Sequence, residues 1–235
     1  MMRKLSEISF IRYGLVALPM LCSLTALARE PAPQPWPDDS FSRLKALALL
    51  QSLNADLLSH PSATVTLERW CGTHKLASEA KIVAHRIKGD DKPLPEGARE
   101  QLGIHADEPV RYRRVQLACG DRVLSEADNW YVPARLTDEM NRQLDQSDVP
   151  FGRVVQALKF RRQTLSAELL WLPLPDGWEM SGHLPPATGK ALAIPAQVLR
   201  HRALLYTQDN QPFSLVVETY TSEVLAFEPE HVSLP

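Results

Sequence analysis

Residues 110–133 read VRYRRVQLACGDRVLSEADNWYVP. A β-prone run from Val110 to Ala118 meets a turn at Cys119-Gly120-Asp121 and returns through Arg122 to Val132. Pro133, which has no backbone N–H to give a ladder, ends it. Val115, Leu117, Val123 and Leu124 supply apolar contacts within this hairpin. A second hairpin lies near the C-terminus: Ala196 to Thr207, a Gln208-Asp209-Asn210-Gln211 turn, then Phe213 to Ala226. Two shorter β-prone runs, Thr64 to Trp70 and Lys81 to Ile87, flank turn-forming residues around Gly72 and are expected to be strands.

Between and before these strands the period changes to that of a helix. Asp39 or Ser40 caps a run carrying Phe41, Leu44, Leu47, Leu50, Leu53 and Leu57 on one side. Thr137 caps a second helix, with Asp138 and Glu139 in its first turn where negative charge is favoured, and this helix stops before Pro150. Pro150-Phe151-Gly152-Arg153 opens a third run through Val154, Val155 and Leu158, with Asp148 where a cap would stand. Gly89 to Gly103 and the prolines at 173, 175, 185 and 186 mark loops. Strands on both sides of central helices predict an α+β fold with a largely antiparallel sheet and packed helices.

The N-terminus has three parts: a basic stretch from Arg3 to Arg12, an apolar run from Tyr13, and Ala26-Leu27-Ala28. This is the pattern of a secretory leader with an A-x-A cleavage site. The apolar run falls short of the roughly 20 residues a spanning helix needs, and Pro19 interrupts it. The expected organisation is a signal peptide over residues 1–28, a Pro-rich tether over 29–38, one folded domain over 39–228 and a short tail over 229–235. It implies export, to the periplasm, with no stable membrane insertion once the leader is gone. Without residues 1–28 the chain holds 23 basic and 27 acidic residues, a net charge of −4, and this balance offers nothing to nucleic acid. Leader removal also takes Cys22 and leaves Cys71 and Cys119, either a disulfide in an oxidising compartment or two separate buried thiols.

Several chemistries lack their signatures. The seven histidines are scattered singly, with no H-E-x-x-H and no paired Cys or His at zinc spacing, so no metal site is expected. No Walker sequence and no G-x-S-x-G nucleophile elbow occurs.

Four short blocks carry a family resemblance. Arg111-Tyr112-Arg113-Arg114-Val115-Gln116-Leu117-Ala118-Cys119, with Gly120-Asp121 and Tyr131-Val132-Pro133 after it, resembles the central hairpin of chorismate lyases in its Arg-to-Cys spacing and V-P ending. Val149-Pro150-Phe151-Gly152-Arg153 resembles the family's T-P-L-G-R segment, and Pro212 to Tyr220 its closing strand with a functional Glu. Ser62-Ala63-Thr64 is similar to its S-M-T segment. The same superfamily holds the UTRA effector-binding domains of transcription regulators, whose closing hairpin resembles Val198 to His201 and Glu218 to Tyr220.

The resemblance implies a chorismate-lyase-like α+β domain that binds a small aromatic or enolpyruvyl carboxylate and eliminates pyruvate from chorismate, giving 4-hydroxybenzoate without a cofactor. Arg114 matches the arginine that holds the ring carboxylate, a partner a planar guanidinium meets with two parallel N–H bonds. Glu218 matches the acid at the opposite end. Phe151 and Gly152 match the turn whose backbone contacts the ligand, and Ala63 stands where the family lines its pocket with Met. An export leader separates this chain from cytosolic chorismate, which keeps open the alternative of a non-catalytic, exported, UTRA-like binding or interaction domain. Nothing in the sequence fixes the oligomeric state.

Overall fold

Six antiparallel strands form one sheet in the order β1-β2-β3-β6-β5-β4: β1 Ile82–Ile87, β2 Arg111–Cys119, β3 Arg122–Tyr131, β4 Arg161–Leu169, β5 Gln197–Tyr206 and β6 Pro212–Thr221. The computed structural model describes residues 36–89 and 91–227, all within a unit that clusters over residues 33–235. The leader, most of the tether and the tail lie outside the described residues. The fold class is α+β, as the alternation of strands and helices predicts.

Helices α1 Ser40–Ser59, α2 Ala63–Thr73, α4 Asp138–Gln146 and α5 Phe151–Val154 cover one face of the sheet. Leu50, Leu53 and Leu57 of α1 and Leu67 and Trp70 of α2 pack on Val115, Leu117, Ala127 and Tyr220. Met140 and Leu144 of α4 and Phe151 and Val154 of α5 pack on Tyr131, Leu205, Phe213 and Val216. The other face carries the short α3, Ala98–Leu102, whose Ala98 and Leu102 meet Trp130, Leu204 and Leu215, with Leu94, Ile104 and Val110 of the flanking loops beside them. A sixth helical turn, α6 Trp178–Ser181, interrupts the loop before β5.

Local chemistry explains most of these boundaries. Asp39 caps α1 by accepting from the Ser42 amide at 2.7 Å, and Thr137 caps α4 by accepting from Met140 N. Asp148 does not cap the run after it; Pro150 stands at the start of α5 instead. The β2–β3 turn needs glycine twice over. Gly120 has φ +54, and a Cβ there would lie 2.9 Å from the Cβ of Ala77.

Two segments depart from the sequence expectation. Thr64 to Trp70 is helical, not a strand: Ser62 supplies the cap, and Ala63, Leu67, Trp70 and Cys71 fall on one buried helical face. The β-branched Thr64-Val65-Thr66 run, strand-like by itself, is overridden by that tertiary burial. Strand β4 falls where the sequence predicts no strand, because the run RRQTLSAEL carries no apolar alternation.

Packing also starts earlier than residue 39. Trp36 is buried, its indole N–H donates to the Leu225 carbonyl at 3.0 Å, and Pro37 bridges Ala191, so the end of the Pro-rich segment is part of the fold. Cys71 and Cys119 are disulfide-bonded with Cα atoms 6.5 Å apart, tying the end of α2 to the end of β2.

Candidate functional site

Where α2 and α5 begin, their first residues stand over the sheet and leave a small, partly open cavity. Its floor is Val115 and Leu117 of β2, Ala127 and Asn129 of β3, Val216 and Glu218 of β6, Leu205 of β5 and Arg162 of β4. Its cover is Pro61 to Thr64 on one side and Phe151, Gly152 and Phe160 on the other. Gly152 allows the two sides to meet: a Cβ there would come within 3.2 Å of the Ser62 hydroxyl. Phe151 is wedged between Tyr131 and Phe213, with ring centroids 5.6 and 6.4 Å away.

One ion pair breaks this apolar lining. Arg162 Nη2 donates to Glu218 Oε2 at 2.7 Å, and the two side chains are only 6% and 8% exposed. Tyr220 donates its hydroxyl to the same oxygen at 3.2 Å. Burial pulls the Arg162 guanidinium down, but the Glu218 carboxylate more than offsets it and the group ends above its ordinary value. Burial, reinforced by the neighbouring carboxylate, pushes the Tyr220 phenol well above its ordinary range. Arg162 Nε is buried and has no partner among the described residues.

His201 lies beneath this pair, directly across from Glu218 in the β5–β6 ladder, with Nε2 2.8 Å from Asn54 Oδ1. It is fully buried. Burial lowers its pKa to about 4; Glu218 opposes that shift and Arg162 assists it.

Ala63, Phe151, Gly152 and Glu218, the residues singled out by family resemblance, thus line one cavity. Arg114 does not join them. It points to the other face of the sheet, where it pairs with Glu126 at 2.9 Å and approaches Asp128 at 3.9 Å, with about a third of its side chain exposed. Val115 and Leu117 face the cavity, so by strand alternation Arg113, not Arg114, shares their side. Cys119 has the same parity along β2, and the extra residue at the register shift, Leu124, belongs to β3, so the alternation from Cys119 back to Arg113 is unbroken.

Arg113 is 2% exposed, sits across from Asn129, and gives Nη2 to the carbonyls of Ser147 and Val149 at 3.2 and 3.1 Å. It therefore fixes the segment leading into α5. Burial lowers its pKa, and the neighbouring Arg86 lowers it further. The residue that sequence reasoning missed is Arg162; its only sequence signal is a polar strand at the sheet edge. No group of three or more metal-binding side chains occurs among the described residues.

No described family model matches the sequence. The chain is 55% identical over 195 residues to the uncharacterized protein y4mC of Sinorhizobium fredii (strain NBRC 101917 / NGR234), covering 83% of this chain and 82% of y4mC. Solved structures show weaker likeness. PhnF of Mycobacterium smegmatis is 12% identical with TM-score 0.48, over 86% of this chain and 94% of PhnF. The effector domain of PhnF is 14% identical with TM-score 0.42, over 61% and 82%. The possible transcriptional regulator YydK of Bacillus subtilis is 17% identical with TM-score 0.37, and the match spans 63% of this chain and 62% of YydK. At these identities and scores the likeness carries nothing on ligand or activity. With more than half of the aligned residues identical across four fifths of both chains, the protein belongs to one family with y4mC.

Proposed function

We propose that this chain is an exported ligand-binding domain of the chorismate-lyase and UTRA kind, which holds a small aromatic carboxylate in the cavity between α2, α5 and the sheet. The observation that carries the reading is an apolar cavity whose polar groups converge on a buried guanidinium with an unpartnered N–H. A flat ring suits Val115, Leu117, Leu205, Val216 and Phe151, and its carboxylate suits the spare Arg162 N–H beside the first amides of α2. The disulfide between Cys71 and Cys119 suits an oxidising compartment, in keeping with a cleaved leader. No helix among the described residues is long and apolar enough to cross a membrane.

Binding is favoured over turnover by the partners of Glu218. Arg162 and Tyr220 both donate to Glu218 Oε2, so this side chain is held within the wall of the cavity as the counter-charge of Arg162. The test is calorimetric titration of the purified protein with 4-hydroxybenzoate, beside Ala127→Leu, which fills the cavity floor, and an assay of pyruvate release from chorismate. Binding that disappears in the folded variant, without pyruvate release, supports the proposal. Unchanged affinity in Ala127→Leu overturns the site. Pyruvate release that Glu218→Gln abolishes overturns the binding-only reading in favour of a lyase.

A further inference from the structure

Asn129 sits in the middle of β3, the kind of position at which strands favour β-branched or aromatic side chains over asparagine. It is 2% exposed and lines the cavity, and its Oδ1 is buried with no partner among the described residues. The obvious donor does not serve it. Arg113 is its direct cross-strand neighbour, yet Arg113 turns Nη2 to the Ser147 and Val149 carbonyls and leaves Nε and Nη1 without partners as well. On its other side Asn129 faces Val216, which offers nothing polar. A valine or leucine would fill the same space among Val115, Ala127 and Val216 without burying an unsatisfied amide, an arrangement that works against folding.

The register supplies the missing geometry. Ala127 pairs with Glu218 and Asn129 with Val216, so Asn129 and Glu218 are diagonal neighbours on adjacent strands. Polar groups therefore stand at two ends of an apolar patch: Arg162 with Glu218 at one, the Asn129 carboxamide at the other. A guest that satisfies both has an acidic end, a flat apolar body and a hydrogen-bonding group on the ring edge away from the acid. A carboxamide carries an acceptor oxygen beside a donor NH2, so a hydroxyl, which both gives and accepts, matches it where a methyl group does not.

We propose that Asn129 is the specificity-determining residue of this cavity, selecting aromatic acids with a hydrogen-bonding ring substituent over those whose ring is wholly apolar. The proposal rests on the ligand reading above and adds the side chain that discriminates within it. A site built to pair with a polar substituent rejects the analogue lacking it, because its own buried group is then left unpaired.

The experiment compares dissociation constants of 4-hydroxybenzoate and the similarly sized 4-methylbenzoate for the full-length protein and for Asn129→Leu. The wild type is expected to prefer the hydroxy acid about tenfold or more. In Asn129→Leu the preference should vanish or invert, with 4-methylbenzoate affinity kept, and the ligand-free variant should melt at or above the wild-type temperature because no amide is left unpaired. Asn129→Ala gives the same reading if the leucine variant does not fold. Equal affinity of the wild type for both acids, or a preference that survives in the folded variants, overturns the role of Asn129 and leaves the cavity's ligand class standing. Failure of the wild type to bind either acid overturns both.

Discussion

Arg162 and Arg114 are both strand arginines paired with a strand glutamate, on opposite faces of one sheet, and their surroundings differ in nearly every respect. The Arg162–Glu218 pair lies under α2 and α5 with less than a tenth of either side chain exposed. The Arg114–Glu126 pair stands on the α3 face, with 34% and 30% exposed, amid Gln116, Asp128, Tyr112 and Lys92. Water screens the second pair and offers each partner an alternative; it does neither for the first. One motif, Arg beside Glu, is thus a surface network on one face and the polar centre of a cavity on the other. Function follows the face.

The largest expected effect comes from breaking the buried pair. Glu218→Gln leaves the Arg162 guanidinium buried without a counter-charge, at a cost of about 3–5 kcal/mol. Arg162→Met removes the counter-charge of Glu218 and leaves its carboxylate with the Tyr220 hydroxyl as donor. The double variant Arg162→Met/Glu218→Leu should recover most of that loss, since well-packed apolar side chains replace both charges. Urea unfolding of the three proteins reads this as a coupling energy of several kcal/mol; a coupling below about 1 kcal/mol would put the cavity pair on the same footing as a surface one.

How far the two faces can be told apart from sequence depends on which residues carry the signal. The hairpins around Gly120 and Asn210 are legible because turn chemistry and β-prone runs agree there. Helix α2 is not, because Thr64-Val65-Thr66 argues locally for a strand and only burial against the sheet reverses it. The covering residues Ala63, Phe151 and Gly152 and the floor residue Glu218 come from short blocks matched in order along the chain, and the fold brings them to one cavity. Arg162 escapes, since an edge strand without buried alternation offers no period to read. The family resemblance of the hairpin block points to Arg114, whereas parity with Val115, Leu117 and Cys119 points to Arg113.

A smaller effect should follow from pH, through the buried His201. Its pKa in the fold is about 4, below the ordinary 6.5, so between those values the unfolded chain binds a proton that the native protein does not. Stability therefore falls as pH drops through that window, by up to about 3 kcal/mol from this group. Urea midpoints between pH 7 and 4 measure the slope, and His201→Gln should flatten it. A slope unchanged in that variant would move the acid sensitivity to groups outside the cavity face.

The smallest expected effect belongs to Arg114, and it bears most directly on which face holds the ligand. Arg114→Ala removes an exposed partner from a hydrated network, so it should cost no more than about 1 kcal/mol, and less as salt is added. Asp128 keeps Lys92 and Tyr112, and Glu126 keeps Gln116, so neither carboxylate is stranded. On the cavity face this change should be silent: the dissociation constant for 4-hydroxybenzoate should stay within about twofold of wild type. A folded Arg114→Ala protein that loses binding, beside an Arg162→Met/Glu218→Leu protein that keeps it, would reverse the comparison and move the ligand to the α3 face.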